Sequence, residues 1–269
     1  MTFSWFGGAI HRDILKKALV PLGVSARSIA MIGKGTDSQD IPFSDKYGHH
    51  PQNHCDDDQI QAGRDYFRER IKQAVADAKD ADTNIKHCHL ALYEFGEGMH
   101  TVQDFYSHAN YLEWLLQTGK TLEPIDWDRP PGEVHTAYYY FDRPFVEDAY
   151  ISRSKSVRGL QKKDQHLHFH SEAEFAARKD TSEYTGALDY ALAHEDFLHK
   201  ELNKDSAKTM EGKIVAPKYK KTFHQLAREL ATTDTARQWN IFEQSIKDRY
   251  GERSERIIAA LKGRKPAPD

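Results

Sequence analysis

An all-α fold, a single multi-helix bundle interrupted by an insertion of loops and short strands around residues 118–170, is predicted for this chain of 269 residues by three observations. Apolar residues recur at helical spacing through most of the sequence. Proline and glycine crowd into one central stretch, where the periodicity stops. The chain is also long enough to build one large domain around a substantial core. Residues 1–262 are therefore read as one domain, and 263–269, polar and proline-containing, as a flexible tail.

Taken in order, Ile10, Ile14, Leu15 and Leu19 mark a helix over 10–20, which Pro21 ends because its nitrogen carries no hydrogen to donate. Ile60, Phe67, Ile71 and Val75 mark a second helix over 57–79, with an acidic first turn that suits the positive end of its dipole. Thr83 or Asn84 caps a third, expected to run unbroken to Leu116 or Gln117 through Gly96 and Gly98. Each glycine costs about 1 kcal/mol against alanine in a helix interior. Another helix, or the segment holding Asp37, is expected to approach closely there.

From 118 to 135, Gly119, Pro124, Pro130, Pro131 and Gly132 abolish the pattern. Val134 to Phe141 is rich in tyrosine and strand-like. Gln165 to His170 alternates with period two, which puts His166, His168 and His170 on one face of an extended segment, by default a solvated strand edge. The whole insertion is expected to lie over a cleft between the main helices. Helices resume at 171–179, 184–204, 218–231 and 234–262, the last amphipathic through Trp239, Phe242, Ile246, Ile257, Ile258 and Leu261.

Composition narrows the function classes. No apolar run approaches 18 residues, and the N-terminal residues show no basic stretch followed by an apolar one, so neither a transmembrane helix nor an ordinary secretory signal is expected. The expected location is the cytoplasm, or export as an effector by a dedicated route. Net charge is −3, and residues 201–269 hold fifteen Lys and Arg against ten Asp and Glu. That balance argues against a stable nucleic-acid complex, while leaving room for peripheral contact with anionic lipid. Cys55 and Cys88 form no C-x-x-C pair, which excludes a disulfide framework and disfavours a thiolate metal site. Histidine is in excess, with fifteen residues, ten of them clustered at 49–54, 87–108 and 166–170.

The sharpest pattern is His100, Asp104 and His108, spaced by four on the third helix. Such residues drift only about 40° and climb about 6 Å per step, so they form one stripe. Two imidazoles bracketing a carboxylate suit two nearby metal ions, with Asp104 reaching both. The same spacing serves a solvated face equally well. Phe105, Tyr106, Tyr111, Leu112 and Trp114 surround this stripe with apolar bulk, however, and buried ionisable groups need partners or metals.

The string from His100 to Trp114, HTVQDFYSHANYLEW, resembles the signature helix of the zinc-dependent phospholipase C and single-strand-nuclease superfamily, in its HET-C-like branch. Other segments resemble the family in order. Trp5 to Leu15 resembles the opening Trp…His helix, with His11 as the candidate ligand. Gly33 to Asp37 resembles a short loop carrying an aspartate, with Asp40 as the alternative. Asn53 to Asp57 resembles the H-x-D element containing His54, for which His49 and His50 compete. His199 to Asp205 resembles the late H-x-x-L-N-K-D element, in which His194 competes with His199 and Asn203 with Asp205.

This resemblance implies an all-α domain holding two or three zinc ions through His11, Asp37, His54, His100, Asp104, His108, His199 and Asp205. It implies hydrolysis of phosphodiesters, with Asp37 as the catalytic residue that helps activate water, and a phospholipid head group as the leading substrate. Met1 to Ser4 precede Trp5, so the α-amine that secreted members give to a third metal is not supplied as the sequence stands. Two rival functions accompany the phospholipase: a single-strand nuclease, for which Tyr138 and Tyr140 would bind substrate by stacking, and a HET-C-like toxin or interaction protein with structural metals.

Overall fold

The computed structural model describes residues 8–40, 51–56, 59–137, 202–209 and 211–264. They fold mainly as helices: α1 (Gly8–Leu19), α2 (Ala26–Gln39), α3 (Pro51–His54), α4 (Ile60–Asp77), α5 (Ile85–His108), α6 (Tyr111–Gln117), α7 (Phe223–Tyr250) and α8 (Ser254–Leu261). A two-residue antiparallel ladder, β1 (Val215–Ala216) with β2 (Lys221–Thr222), pairs Val215 with Thr222 and Ala216 with Lys221.

Helix α5 is the axis of the bundle. Helices α2, α3, α4 and α7 all pack on it, and α1 lies against α2 and α7. Asn84 caps its start, accepting a hydrogen bond from the Lys86 amide at 3.0 Å. Every residue from Phe95 to His108 is buried, although the run includes Glu97, His100, Gln103, Asp104 and His108. A helix surrounded on all sides is normally apolar throughout. Polar side chains placed here are shut off from bulk solvent and must find partners inside the fold.

Two glycines allow this enclosure. A Cβ on Gly96 would lie 2.1 Å from the Ile32 carbonyl oxygen, and one on Gly35 would lie 2.1 Å from the Tyr93 carbonyl oxygen. The backbones of α2 and α5 therefore touch where side chains are missing on both helices. The expected close approach at Gly96 is real, and the approaching element holds Asp37. That element is a helix, not the loop its glycines suggested.

The apolar core continues on the α7 side, where the Phe95 ring meets Trp239 edge-on at 5.2 Å and stacks on Phe242 at 5.1 Å. On the α4 side, Trp127 packs against Phe67 at 4.9 Å and Phe105 at 4.8 Å.

Several element boundaries differ from expectation for identifiable reasons. Helix α4 starts at Ile60 with no acidic residue in its first turn. Asp56 instead turns toward α5. Helix α5 does not continue into α6, because Ala109 is extended, with φ −98° and ψ 155°. The carbonyls freed at this break are taken from a distance: Ser107 accepts from the Lys204 amide at 3.1 Å, and Ala109 accepts from the Lys204 ammonium at 2.9 Å. Where two helices were expected over 218–231 and 234–262, α7 is continuous to Tyr250. Thr232 and Thr233 donate back to the Arg228 and Glu229 carbonyls without breaking the ladder, and Gly251, at φ 53°, ends the helix. Its start is fixed by a capping box between Thr222 and Gln225.

Thr136 forms an antiparallel bridge with Ala109 inside the stretch expected as a strand. Residues 138–141 of that stretch lie outside the described residues, as do His166, His168, His170 and the expected helices over 171–179 and most of 184–204. Among the described residues no helix is long and apolar enough to cross a membrane.

Candidate metal centre

Four elements deliver side chains to one point inside the bundle. His11 comes from α1, Asp40 from the C-terminal cap of α2, His54 from the end of α3, and His100 with Asp104 from adjacent turns of α5. Asp104 is the hub. Its Oδ2 lies 2.9 Å from His100 Nε2 and 3.0 Å from His54 Nδ1, and its Oδ1 lies 3.4 Å from His11 Nε2. The two imidazoles that share Oδ2 are themselves only 2.9 Å apart, His100 Nε2 to His54 Nδ1. Asp40 Oδ1 closes the group at 3.6 Å from His100 Nε2. Gln103 Oε1, 2.7 Å from His11 Nδ1, orients the first imidazole.

This donor set fits a zinc ion. Bonds of about 2.0–2.1 Å in a tetrahedral site place ligand atoms roughly 3.3 Å apart. The three edges among His54, His100 and Asp104 are 2.9 to 3.0 Å, so an outward movement of a few tenths of an ångström suffices. Two ligand triads emerge, one from His11, His100 and Asp104 and one from Asp40, His54 and His100. Asp40 Oδ1 and Asp104 Oδ1 are buried oxygens that accept no hydrogen bond among the described residues. Buried carboxylate oxygens without a donor could accept a cation.

A second cluster continues the stripe. His108 Nδ1 lies 2.9 Å from Asp56 Oδ1, and His108 Nε2 lies 3.3 Å from Asp205 Oδ1. The Ser107 hydroxyl donates to the same Asp205 oxygen. Both ring nitrogens of His108 thus face carboxylates; a metal held between His108 Nε2 and Asp205 would leave Nδ1 fixed by Asp56. Asp205 is held in place by its neighbour Lys204, a fully buried cation whose ammonium donates to Ala109, Leu202 and Glu113 at 2.8 to 2.9 Å.

Electrostatics follow the burial. Burial lowers the His11 pKa to about 4 and also lowers that of His54, so both are neutral imidazoles, the form that binds metals. Burial pushes His100 the same way, but the carboxylates of Asp104 and Asp40 prevail and raise it to about 9. Asp104 is the counterpart: burial disfavours its charge, yet His100 and the hydrogen bonds from His100 and His54 hold it well below the ordinary carboxylate value. For His108 burial is likewise outweighed, by Asp56 and Asp205, and its pKa rises. Asp40 is raised to about 7, chiefly by burial.

Exposure rises in one direction. Asp104 is fully buried, the Asp40 side chain is 22% exposed, Asp37 35% and Arg12 53%. Exposure thus increases from the buried cluster through Asp40 and Asp37 to Arg12.

The sequence candidates divide accordingly. His11, His54, His100 and Asp104 converge, and His108 meets Asp205 one turn away. Asp37 stands at the rim, where the Arg12 guanidinium binds its carboxylate. Burial raises the Asp37 pKa despite that cation. Of the two aspartates left open by the sequence, Asp40 is the one against His100. His199, Tyr138 and Tyr140 lie outside the described residues. Asp56 and Gln103 were not foreseen. Asp56 sits two residues beyond His54 and Gln103 one before Asp104, and no local periodicity separates them from ordinary helix-start and helix-face residues.

Residues 25–128 match the family model described as the VWA7 N-terminal domain. The matched stretch runs from the cap of α2 through α6 and carries Asp40, His54, Asp56, His100, Asp104 and His108, leaving His11 and Asp205 beyond its ends. No curated protein and no solved structure matches the chain.

Proposed function

We propose that this protein is a metal-dependent phosphodiester hydrolase, a zinc-dependent phospholipase C that cleaves phospholipid head groups. The observation that carries the reading is the convergence of His11, His54 and His100, from three different helices, on the single carboxylate of Asp104. A stabilising ion pair needs one imidazole, not three. Neutral His11 and His54 beside an ionised Asp104 describe a ligand set.

Zinc bound by His11, Asp40, His54, His100 and Asp104 would supply a water acidic enough to attack phosphorus and a charge to offset the developing phosphoryl oxyanion. The chain's own groups do the rest. Asp104 belongs to the first triad and lies 3.0 Å from His54 of the second, so its charge would offset cations held by either. His108, Asp56 and Asp205 extend the donor set by one turn of α5. At the rim, Arg12 presents a guanidinium suited to a phosphate oxygen. Asp37, bound to Arg12, is placed to accept a proton from water when a phosphate displaces it from that guanidinium.

The test is turnover of phosphatidylcholine, p-nitrophenyl phosphorylcholine and single-stranded DNA by zinc-loaded protein, with and without chelator. Chelator-sensitive hydrolysis of the choline esters supports the reading. Preference for DNA replaces it with a nuclease, and bound zinc without turnover of any substrate replaces it with a structural metal centre.

A further inference from the structure

Asp205 is followed at once by a segment that the centre does not use. Residues 206–222 carry five lysines, Lys208, Lys213, Lys218, Lys220 and Lys221, against one acidic residue, Glu211. All five lysines are exposed. Lys221 pairs with Glu229 at 2.7 Å, while among the described residues Lys213, Lys218 and Lys220 make no ion pair. The same segment places aliphatic surface in water: Val215 is 55% exposed and Ile214 40% exposed, and Pro217 is exposed beside them.

The hairpin is firmly mounted. The Phe223 amide donates to the Ile214 carbonyl at 2.8 Å, and the His224 amide donates to the Gly212 carbonyl at 3.1 Å. His224 Nδ1 in turn lies 2.7 Å from the Lys204 carbonyl, one residue from Asp205. Lys220 adopts φ 53°, which closes the four-residue loop over 217–220. Aliphatic and cationic groups are thus presented together on a short rigid projection.

We infer that this hairpin docks the protein on an anionic phospholipid surface, with Ile214 and Val215 entering the interface and Lys213, Lys218 and Lys220 facing the head groups. Unpaired lysines complement anionic lipid, and aliphatic side chains reach the acyl boundary. A single-strand nucleic-acid surface would offer exposed aromatic faces for stacking. Here the one aromatic, Tyr219, is half-buried with the Lys218 ammonium 5.3 Å from its ring centre. Because the projection leaves the chain next to Asp205, docking holds the candidate centre at the membrane. The inference deepens the lipid reading of that centre, but its readout is binding and needs no turnover.

The experiment is co-sedimentation of the full chain with vesicles of phosphatidylcholine alone and of phosphatidylcholine with 30% phosphatidylserine, at low and high salt. Binding is expected only to the anionic vesicles and should weaken with salt. Replacing Lys213, Lys218 and Lys220 by Gln should weaken it about five-fold per lysine, on the order of a hundred-fold together. Ile214→Ser with Val215→Ser should also weaken it, with unchanged melting, whereas Gln at Lys16, Lys72 and Lys86 should leave it intact. Equal binding by the hairpin variants and the parent overturns the inference, as does a salt-sensitive preference of the same lysines for a single-stranded oligonucleotide. Vesicle binding without hydrolysis sustains the docking and defeats the enzyme reading. Hydrolysis with a silent hairpin does the reverse.

Discussion

Asp104→Asn isolates the hub of the centre with the smallest change in shape. The variant keeps the size and one acceptor oxygen but removes the charge that three imidazoles face at 2.9 to 3.4 Å. In the metal-free protein the consequence falls first on His100, whose pKa stands at about 9 against an ordinary 6.5. A group raised in the folded state stabilises it fully below its unfolded pKa and loses that contribution as pH rises through its folded pKa. At pH 7 the shift amounts to about 2–3 kcal/mol. Most of it goes with the Asp104 charge, because burial alone drives a neighbouring imidazole such as His54 downward.

For a domain of this size that corresponds to a melting temperature lowered by roughly 5–10 °C. The assay is thermal unfolding of parent and variant in strong chelator at pH 6, 7 and 10, followed by zinc content and phosphodiester hydrolysis after reloading. The gap should be widest at pH 6 to 7 and shrink toward pH 10, where His100 is neutral in both proteins. The reloaded variant should hold less zinc and lose activity by several orders of magnitude. A pH-independent gap, or full zinc content with near-normal hydrolysis, refutes the assignment of Asp104 as hub.

His108→Ala should remove about one zinc equivalent, and Asp205→Ala added to it should cost little more, since groups serving one ion are non-additive; metal analysis of the two singles and the double decides this. Stripping metal should lower the melting temperature of the parent and leave it falling further toward alkaline pH, because His100 and His108 are both raised in the folded state; a flat alkaline profile contradicts that. Gly96→Ala should cost about 1–3 kcal/mol or more in chemical denaturation by forcing α5 off Ile32, while Gly132→Ala, whose Cβ meets nothing within 4 Å, should stay within about 0.5 kcal/mol. Lys204→Met should leave Glu113 without its buried cation and destabilise by about 3–5 kcal/mol, and should weaken zinc binding at the Asp205 end about ten-fold or more, as equilibrium dialysis would report.

What the sequence alone determines is what local geometry encodes. A four-residue spacing places His100, Asp104 and His108 on one stripe whatever surrounds them, and apolar periodicity with Asn84 and Pro21 marks α1, α4 and the start of α5 to within a few residues, though not the end of α5. Gly96 likewise announces a close neighbour, since a glycine inside a long helix has a cost that only contact offsets. None of this says which distant group arrives.

Tertiary structure alone decides that Asp40, and not Asp37, faces His100, because the choice depends on where α2 ends against α5 and on Arg12 of α1 binding Asp37. It decides that Asp56 orients His108, because the turn at Cys55, where φ is 52°, brings the Asp56 carboxylate to within 2.9 Å of His108 Nδ1. It also ends α5 at Ala109, where Lys204, 95 residues away in sequence, supplies the donors that a continuing helix would have supplied itself. Helical period is a property of neighbours a turn apart, whereas a buried charge is satisfied by whatever the fold carries to it, and that pairing has no local signature.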